Sequence, residues 1–267
     1  MTALLAQAKP PQPFEAPGPE IFETPCLGGD LEVFGLNMCV NRVVLMYFLA
    51  ALIVITVFAL AASRSRFVPK GLQNLVETIV EFVRNDIALA IIGPDGRAWT
   101  PFLATLFCFI LVSNLFGVIP FLQFPIMSRS GLPIFMAILV WIIFNVVGIR
   151  AQGLRGYFKN MLFPPGVPWL VYILLTPVEF ISTIIVRPFT LALRLTANMI
   201  AGHLILTIFF LGTAYLVAQP LTIVWGGLSL GLSVFLVALE LLVATLQAYI
   251  FTILTAVYIG GALHPEH

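Results

Sequence analysis

Residues 43–62 form an apolar stretch without a single charged side chain. A helix of this length spans a hydrocarbon core of roughly 30 Å. Only 9% of the 267 residues are charged, whereas a soluble domain usually carries about a quarter. A water-covered surface is therefore excluded, and the sequence predicts an integral membrane protein. The 13 basic and 12 acidic residues nearly balance. The chain therefore lacks the excess of positive charge that nucleic-acid binding requires, and we expect no nucleic-acid partner.

Further membrane spans follow along the chain. Residues 102–119 and 133–149 are apolar and are joined by a Pro-containing loop, which predicts a transmembrane hairpin. Residues 176–212 and 220–262 are longer, and the first would measure about 55 Å as one helix. Each is either a pair of short spans or one long helix, and the absence of a central polar loop favours two long, steeply tilted helices. The expected fold is all-α, with five membrane helices.

An additional, amphipathic helix is predicted between the first two spans. Residues 72–92 place apolar side chains on one helical face (Leu72, Leu75, Val76, Ile79, Val83, Ile87) and polar ones on the other (Asn74, Glu77, Glu81, Arg84, Asn85). This pattern predicts a helix that lies in the membrane interface, and packing against a soluble partner is the alternative. Gly93-Pro94-Asp95-Gly96 then predicts a turn.

The chain therefore divides into six regions. They are an extended, Pro-rich arm (1–42), the first transmembrane helix (43–62), the amphipathic helix with its turn (63–100), the hairpin (101–150), a loop (151–175) and the pair of long helices (176–267). Loops on one side hold eight basic residues (Arg64, Arg66, Lys70, Arg84, Arg97, Arg150, Arg155, Lys159), against three on the other (Lys9, Arg42, Arg129). The positive-inside rule then places the arm outside, and the C-terminus with regions 63–100 and 151–175 inside.

Two of the three cysteines, Cys26 and Cys39, fall in the outer arm. An outer compartment permits disulfides. The two residues either form a disulfide or remain as two free thiols, and the sequence leaves both alternatives open.

Four charged residues fall inside the last two predicted helices: Glu179, Arg187, Arg194 and Glu240. A charge at the bilayer centre costs about 2.5–3.5 kcal/mol on insertion scales, so such residues mark function unless they are structural ion pairs. Arg187 and Arg194 are seven residues apart and share a helical face, with Asn198 one turn further along it.

His203 lies half a revolution away from Arg194, on the opposite face of the same helix. On the last helix Glu240 and Gln247 share a face. The natural pairing is Glu240 with His203 between the two helices, which leaves Arg194 without an obvious partner in this chain. We therefore expect its counter-charge to come from another subunit.

Other polar residues have structural explanations. Thr176-Pro177-Val178-Glu179 has the pattern of a capping box with proline at the first helical position, so Glu179 is expected to cap a helix. Arg187 either snorkels to the interface or takes part in function. Asn114 and Asn145 are explained by helix–helix hydrogen bonds, and Asn114 alternatively lines a polar path.

The segment from Arg187 to His203, RPFTLALRLTANMIAGH, closely resembles the signature of the a subunit of F-type ATP synthase. LQAYIF at 246–251, with LTAVY at 254–258, resembles the last-helix signature of the same family. The order of the spans also matches, so the resemblance covers most of the chain. The Pro-rich arm and the FVRNDIALAI stretch look more like actinobacterial-type members than mitochondrial ones.

The resemblance implies a stator subunit with two proton half-channels, which couples proton flow to rotation and ATP synthesis. It makes Arg194 the essential arginine facing the c-ring, and Glu240 and His203 the acid and imidazole of a half-channel. Glu179 sits one residue further from Arg194 than the common channel acid of the family. The other members of the expected proton-translocating set are Gln247, Asn198, Asn114, Arg187, Glu179 and Tyr258.

The implied partners are the c-ring, subunit b of the peripheral stalk, the rest of the FoF1 complex and the lipid bilayer. The implied location is a bacterial plasma membrane, with the mitochondrial inner membrane as the alternative. We expect no ATP site, cofactor or metal on this chain, since its cysteines show no metal-ligand spacing.

Two other functions are weighed against this one. A secondary ion transporter would carry paired sites and often inverted repeats, neither of which the sequence shows. A proton-conducting subunit of a respiratory complex would hold haem or quinone, and haem commonly takes axial histidines. His203 is the only histidine inside a predicted span, which disfavours haem.

Overall fold

The structure, a computed structural model, describes residue 18 and residues 31–33, 36–38, 41–63, 69–119, 126–163, 169–218 and 222–264. Five of its helices are long and apolar enough to cross a membrane by length and composition, which confirms the expected all-α membrane fold. The predicted arm also contains a short antiparallel hairpin, Leu31–Val33 (β1) with Leu36–Met38 (β2). Cys26 and Cys39, predicted as a disulfide or as two free thiols, lie outside the described residues.

The helices follow the predicted order. They are α1 (Arg42–Ser63), α2 (Leu72–Phe82) with a π-helical continuation (Val83–Ile92), α3 (Gly96–Val118), α4 (Gly131–Leu162), α5 (Trp169–Ile181), a π-helical segment (Ser182–Val186), α6 (Arg187–Val217) and α7 (Ile223–Leu263). A short 3₁₀ turn, Ile126–Ser128, precedes α4. α5 and α6 make one continuous helix, and its part from Val171 to Val217 is about 70 Å long at 1.5 Å per residue. The last hundred residues therefore form two long helices and not two pairs of short spans.

The helix at residues 72–92 packs against membrane helices of this chain. Val83 and Ile87 are completely buried, because the π-helical part contacts α3 and α7. Leu72 and Leu75, predicted for the same face, are exposed. The change from α to π at Val83 redirects the apolar face, since i→i+5 hydrogen bonding widens the turn. Gly93, with φ of 84°, lies in the turn that the sequence predicts.

α4 reverses direction at Gly153, whose φ of 73° and ψ of 159° are not helical. The residues after this break fold back on those before it. The Tyr157 hydroxyl donates to Asn145 Oδ1 at 3.0 Å, and the Tyr157 ring packs directly on Gly148. Glycine adopts such a backbone conformation without the strain that a Cβ brings. This helical return lies in the region 151–175, for which the sequence predicts a loop.

The long helix begins earlier than predicted. α5 starts at Trp169, so Pro177 lies inside a helix and the capping-box interpretation of residues 176–179 is wrong. The Thr176 hydroxyl donates to the Leu162 carbonyl at 3.0 Å instead of capping an N-terminus. Internal prolines are tolerated in membrane helices because neighbouring groups satisfy the backbone group that proline leaves unpaired.

The core lies where α3, α4, α6 and α7 meet the π-helical end of α2. Ile87, Leu103, Val140, Leu195 and Phe251 are almost completely buried there. α1 packs at the edge, on α2 and α3. Most side chains of α5, α6 and α7 lie outside this core, so the two long helices offer broad apolar faces to lipid or to other subunits.

Candidate functional site

α6 and α7 run antiparallel, and three contacts fix which of their residues lie at the same level. The Arg187 guanidinium lies 5.2 Å from the centre of the Tyr258 ring. Gly202 packs against the Glu240 side chain, and the Thr213 and Ser229 hydroxyls are 2.7 Å apart. The same register therefore holds along the whole pair, and it orders the polar residues from one end of the helices to the other.

A cavity of about 180 Å³ lies between α3, α6 and α7. Three predicted site residues line it: Asn114 from α3, Asn198 from α6 and Glu240 from α7. The Asn114 side-chain amide donates to the Ala244 carbonyl at 3.2 Å, which accounts for one of its donors and leaves the residue at the cavity wall. We call this group of three residues the cavity cluster.

Glu240 is only 8% exposed, and neither of its carboxylate oxygens has a hydrogen-bond partner among the described residues. The predicted pair with His203 is therefore not formed as a hydrogen bond. The carboxylate packs against Gly202 of α6, where an added Cβ would lie 2.8 Å from Glu240 Oε1. His203 directly follows Gly202 along α6. The Glu240 carboxylate, however, faces Gly202 and the cavity.

A second polar group lies nearer the start of α6. Arg187 Nη2 is 3.3 Å from Glu179 Oε1, and the Thr183 hydroxyl donates to the same oxygen at 3.4 Å. Tyr258 of α7 lies under the guanidinium. We call these four residues the ion-pair cluster. Arg187 thus has a partner inside the chain and is not merely a side chain that snorkels to the interface.

The π-helical segment Ser182–Val186 explains why Glu179 and Arg187 meet. Residues eight apart on an α-helix are turned by 80° from each other, because each residue advances the helix by about 100°. A π turn takes up an additional residue, so the eight residues complete close to two turns. The spacing from Glu179 to Arg194 is one residue longer than that of the common channel acid in the family the sequence resembles. The π-helical segment lies within this spacing.

Arg194 lies between the two clusters, seven residues after Arg187 and eight before Gly202, or about 10 and 12 Å along the axis. It is exposed and forms no ion pair or hydrogen bond within the described ranges. Phe189 and Leu193 beside it are 59% and 47% exposed. The guanidinium therefore stands on an apolar outer face, which agrees with the expectation that its counter-charge belongs to another subunit.

Gln247 lies on α7 between Glu240 and Tyr258, at the level of Arg194 in the antiparallel register. It is 6% exposed, and its amide nitrogen has no partner among the described residues. The hydroxyl of Thr196 is likewise buried without a partner. Sequence reasoning missed Thr183 and Thr196, although each is a hydroxyl one turn or less from a predicted site residue. Within the described ranges no group of three His, Cys, Asp or Glu residues is placed to hold a metal ion.

The fold and the site define a multi-pass membrane protein with two polar clusters and, between them, an arginine that is unpaired within the described ranges. Charged groups inside membrane spans are typical of ion-translocating subunits. Residues 44–260 match the family described as ATP synthase A chain, and the chain belongs to this family. It is 46% identical to the ATP synthase subunit a of Frankia alni, over 95% of this chain and 88% of that protein. It is 42% identical to the subunit of the same name from a Nocardioides species, over 95% of both chains.

These comparisons confirm the family that the sequence motifs indicate, together with its actinobacterial character. They also decide between the functions weighed above, in favour of the membrane-embedded stator subunit of an ATP synthase and against a secondary transporter or a respiratory subunit.

Proposed function

We propose that protons cross this chain through two separate polar regions, with Arg194 as the barrier between them. The cavity cluster, with His203 beside it, forms the access from the outer side. The ion-pair cluster lies on the route to the inner side. The observation that carries the proposal is the position of Arg194, exposed and without a partner in the described chain, about midway between the clusters.

Glu240 is suited to receive a proton because its carboxylate borders a cavity and no hydrogen-bond donor among the described residues holds it ionised. Such a group exchanges a proton with water in the cavity without first breaking a hydrogen bond to the protein. Asn114 and Asn198 supply the polar wall that keeps water in an otherwise apolar space. From there the proton passes to a carboxylate of the c-ring.

The c-ring carboxylate, once neutral, turns away through lipid and returns to Arg194 after nearly a full circuit. The fixed positive charge favours its ionised form, so the proton leaves through the region around Glu179, Arg187 and Tyr258. Arg194 also stops protons from passing directly between the two regions. A potential of 100 mV supplies about 2.3 kcal/mol for each charge moved, and this energy turns the ring.

The partners follow from the same geometry. The exposed apolar faces of α6 and α7 around Arg194 are the surface that meets the c-ring, because only there is the arginine accessible to a carboxylate of another chain. Subunit b of the peripheral stalk holds this chain fixed against the turning ring. The bacterial source of the relatives supports a location in the plasma membrane.

Replacing Arg194 with alanine tests the proposal. The Arg194→Ala complex should assemble, because the exposed side chain forms no ion pair or hydrogen bond with the part of the chain that the structure describes, yet it should lose ATP-driven proton pumping. The assay is acidification of inverted membrane vesicles on addition of ATP, with an immunoblot for assembled complex. Lysine keeps the charge but loses the planar, permanently protonated guanidinium, so Arg194→Lys should also fail.

Arg155→Ala is the matched control, since Arg155 is also exposed but lies beyond the Gly153 break and outside both clusters. It should pump at the normal rate. Normal acidification by the assembled Arg194→Ala complex would overturn the proposal, because the barrier would then not depend on a fixed positive charge.

A further inference from the structure

A second cavity lies at the opposite end of the molecule from the start of α7, away from both polar clusters. It is an apolar groove of about 560 Å³, within the range of ligand pockets. Trp99 of α3, Ile142 and Val146 of α4 and Leu263 of α7 form its walls, and Arg150 lies at one end. None of these residues belongs to the proposed proton path.

Arg150 is exposed and forms no ion pair or hydrogen bond within the described ranges. It directly follows the apolar span 133–149, at the depth where the hydrocarbon core gives way to headgroups. The indole N–H of Trp99 likewise has no acceptor among the described residues, and tryptophan is enriched at this depth. Two hydrogen-bond donors therefore stand at the headgroup level of the groove.

The part of the groove below the headgroups is apolar. Ile142 lies eight residues before Arg150, about 12 Å deeper along the axis of α4, and Ile142 and Val146 are 48% and 41% exposed. The ligand that complements such a groove has an apolar chain on one side and an anionic group on the other. Asp95, the acid in the turn before α3, lies 3.2 Å from His264 Nε2 and forms no ion pair with Arg150.

We propose that this groove binds one anionic phospholipid in the leaflet on the side of the C-terminus. Its phosphate accepts hydrogen bonds from the Arg150 guanidinium, in the two-pronged geometry that favours arginine over lysine. One acyl chain lies along α4 from Val146 toward Ile142. The lipid thereby fills the space between α4 and the ends of α3 and α7.

The test uses the complete complex in its native membranes and a phosphatidylglycerol probe that carries a photoreactive group in its acyl chain. After illumination, labelled peptides are identified by mass spectrometry. The label should fall on the stretch 142–147, and Arg150→Gln should reduce it about tenfold, the loss expected for a charge-assisted hydrogen bond. Arg155→Gln is the control, because this exposed arginine does not line the groove, and it should leave the labelling unchanged.

A diacylglycerol probe with the same photoreactive acyl chain but no phosphate separates an anion site from a merely apolar surface. It should label 142–147 much less than phosphatidylglycerol does, and equally in wild type and Arg150→Gln. Equal labelling by both probes in the wild type would overturn the proposal, as would no labelling at all, which would mean that a helix of another subunit covers the groove. Proton pumping is not part of the readout, so these outcomes are independent of the proposed proton path.

Discussion

At the scale of single residues, Gly202 determines where the Glu240 carboxylate lies. An alanine methyl group at position 202 would stand 2.8 Å from Glu240 Oε1, closer than real Cβ atoms approach other groups, and a tight 3.2 Å from Cδ. The carboxylate would have to rotate away from its place in the cavity. We therefore expect Gly202→Ala to lower ATP-driven proton pumping roughly tenfold, as small misplacements of reacting groups do, in an assembled complex that still hydrolyses ATP.

Gly212→Ala is the matched control on the same helix, because an added Cβ there meets nothing within 4 Å. The double variant Gly202→Ala with Glu240→Asp should recover part of the pumping, since the shorter side chain withdraws from the new methyl group. If Gly202→Ala pumps like Gly212→Ala, the exact position of the Glu240 carboxylate is unimportant for proton entry.

The charged residues of the candidate site could be identified from the sequence, but their partners could not. An isolated charge in an apolar helix is visible in the sequence, and Glu179, Arg187, Arg194 and Glu240 were found in this way. Whether Glu240 hydrogen-bonds His203 depends on the rotation of one helix against another, which periodicity along either helix does not contain. The Glu179–Arg187 pair was missed because the eight-residue spacing suits a helix with a π segment and not a regular α-helix.

At the scale of helices and turns, the most consequential residue is Gly153. Its φ of 73° and ψ of 159° lie in a region that other residues enter only at a cost of about 1–3 kcal/mol. Gly153→Ala should therefore destabilise the return of the chain onto Gly148 and Asn145. We expect the variant chain to dissociate from the detergent-solubilised complex at a lower temperature than the wild type does. Protease should also cleave it more readily between residues 150 and 162.

Gly156→Ala serves as its control. This glycine is helical, and an added Cβ meets only Gln152 Cβ at an ordinary 3.6 Å. Because alanine is the better helix former by about 1 kcal/mol, this variant should be as stable as the wild type or slightly more stable. Equal behaviour of the two variants would show that the reversal at Gly153 contributes nothing to stability.

The spans themselves were predictable because length and apolarity alone decide which segments cross a bilayer. α1 extends one residue beyond the predicted 43–62 at each end. The start of the long helix was misplaced, since Thr-Pro-x-Glu is typical of helix N-termini in water, where an internal proline costs about 3 kcal/mol. The reversal at Gly153 was also missed, because a single glycine inside a helical pattern does not distinguish a tolerated residue from a positive φ.

At the scale of the whole molecule, long-range contacts gather the termini of the helices at two opposite ends. At one end the Tyr47 hydroxyl donates to the Ile126 carbonyl at 3.3 Å, which joins the start of α1 to the loop before α4. At the other end Gln152 Nε2 donates to the Ala262 carbonyl at 2.8 Å, and His264 pairs with Asp95. The C-terminus, the turn before α3 and the reversal at Gly153 therefore share one side.

The distribution of basic residues over these two ends predicts the orientation of the chain in the membrane. The end with the C-terminus carries Arg97, Arg150, Arg155 and Lys159, and the opposite described end carries Arg42 and Arg129. Because basic residues are retained on the cytoplasmic side, the end with the C-terminus should be inside and the loop before α4 outside. Exposed positions for single-cysteine labelling exist at both ends, at Ser130 and at His264.

The labelling experiment starts from a variant with Cys26→Ser and Cys39→Ser, in which the remaining Cys108 is buried and gives little background. In intact cells a membrane-impermeant maleimide should modify Ser130→Cys and not His264→Cys. In inverted vesicles the pattern should reverse, because the inner face is then the accessible one. Modification of His264→Cys in intact cells, with Ser130→Cys protected, would place the C-terminus outside. The cavity cluster would then open toward the inner side, and the direction of proton entry proposed here would have to be exchanged with that of exit.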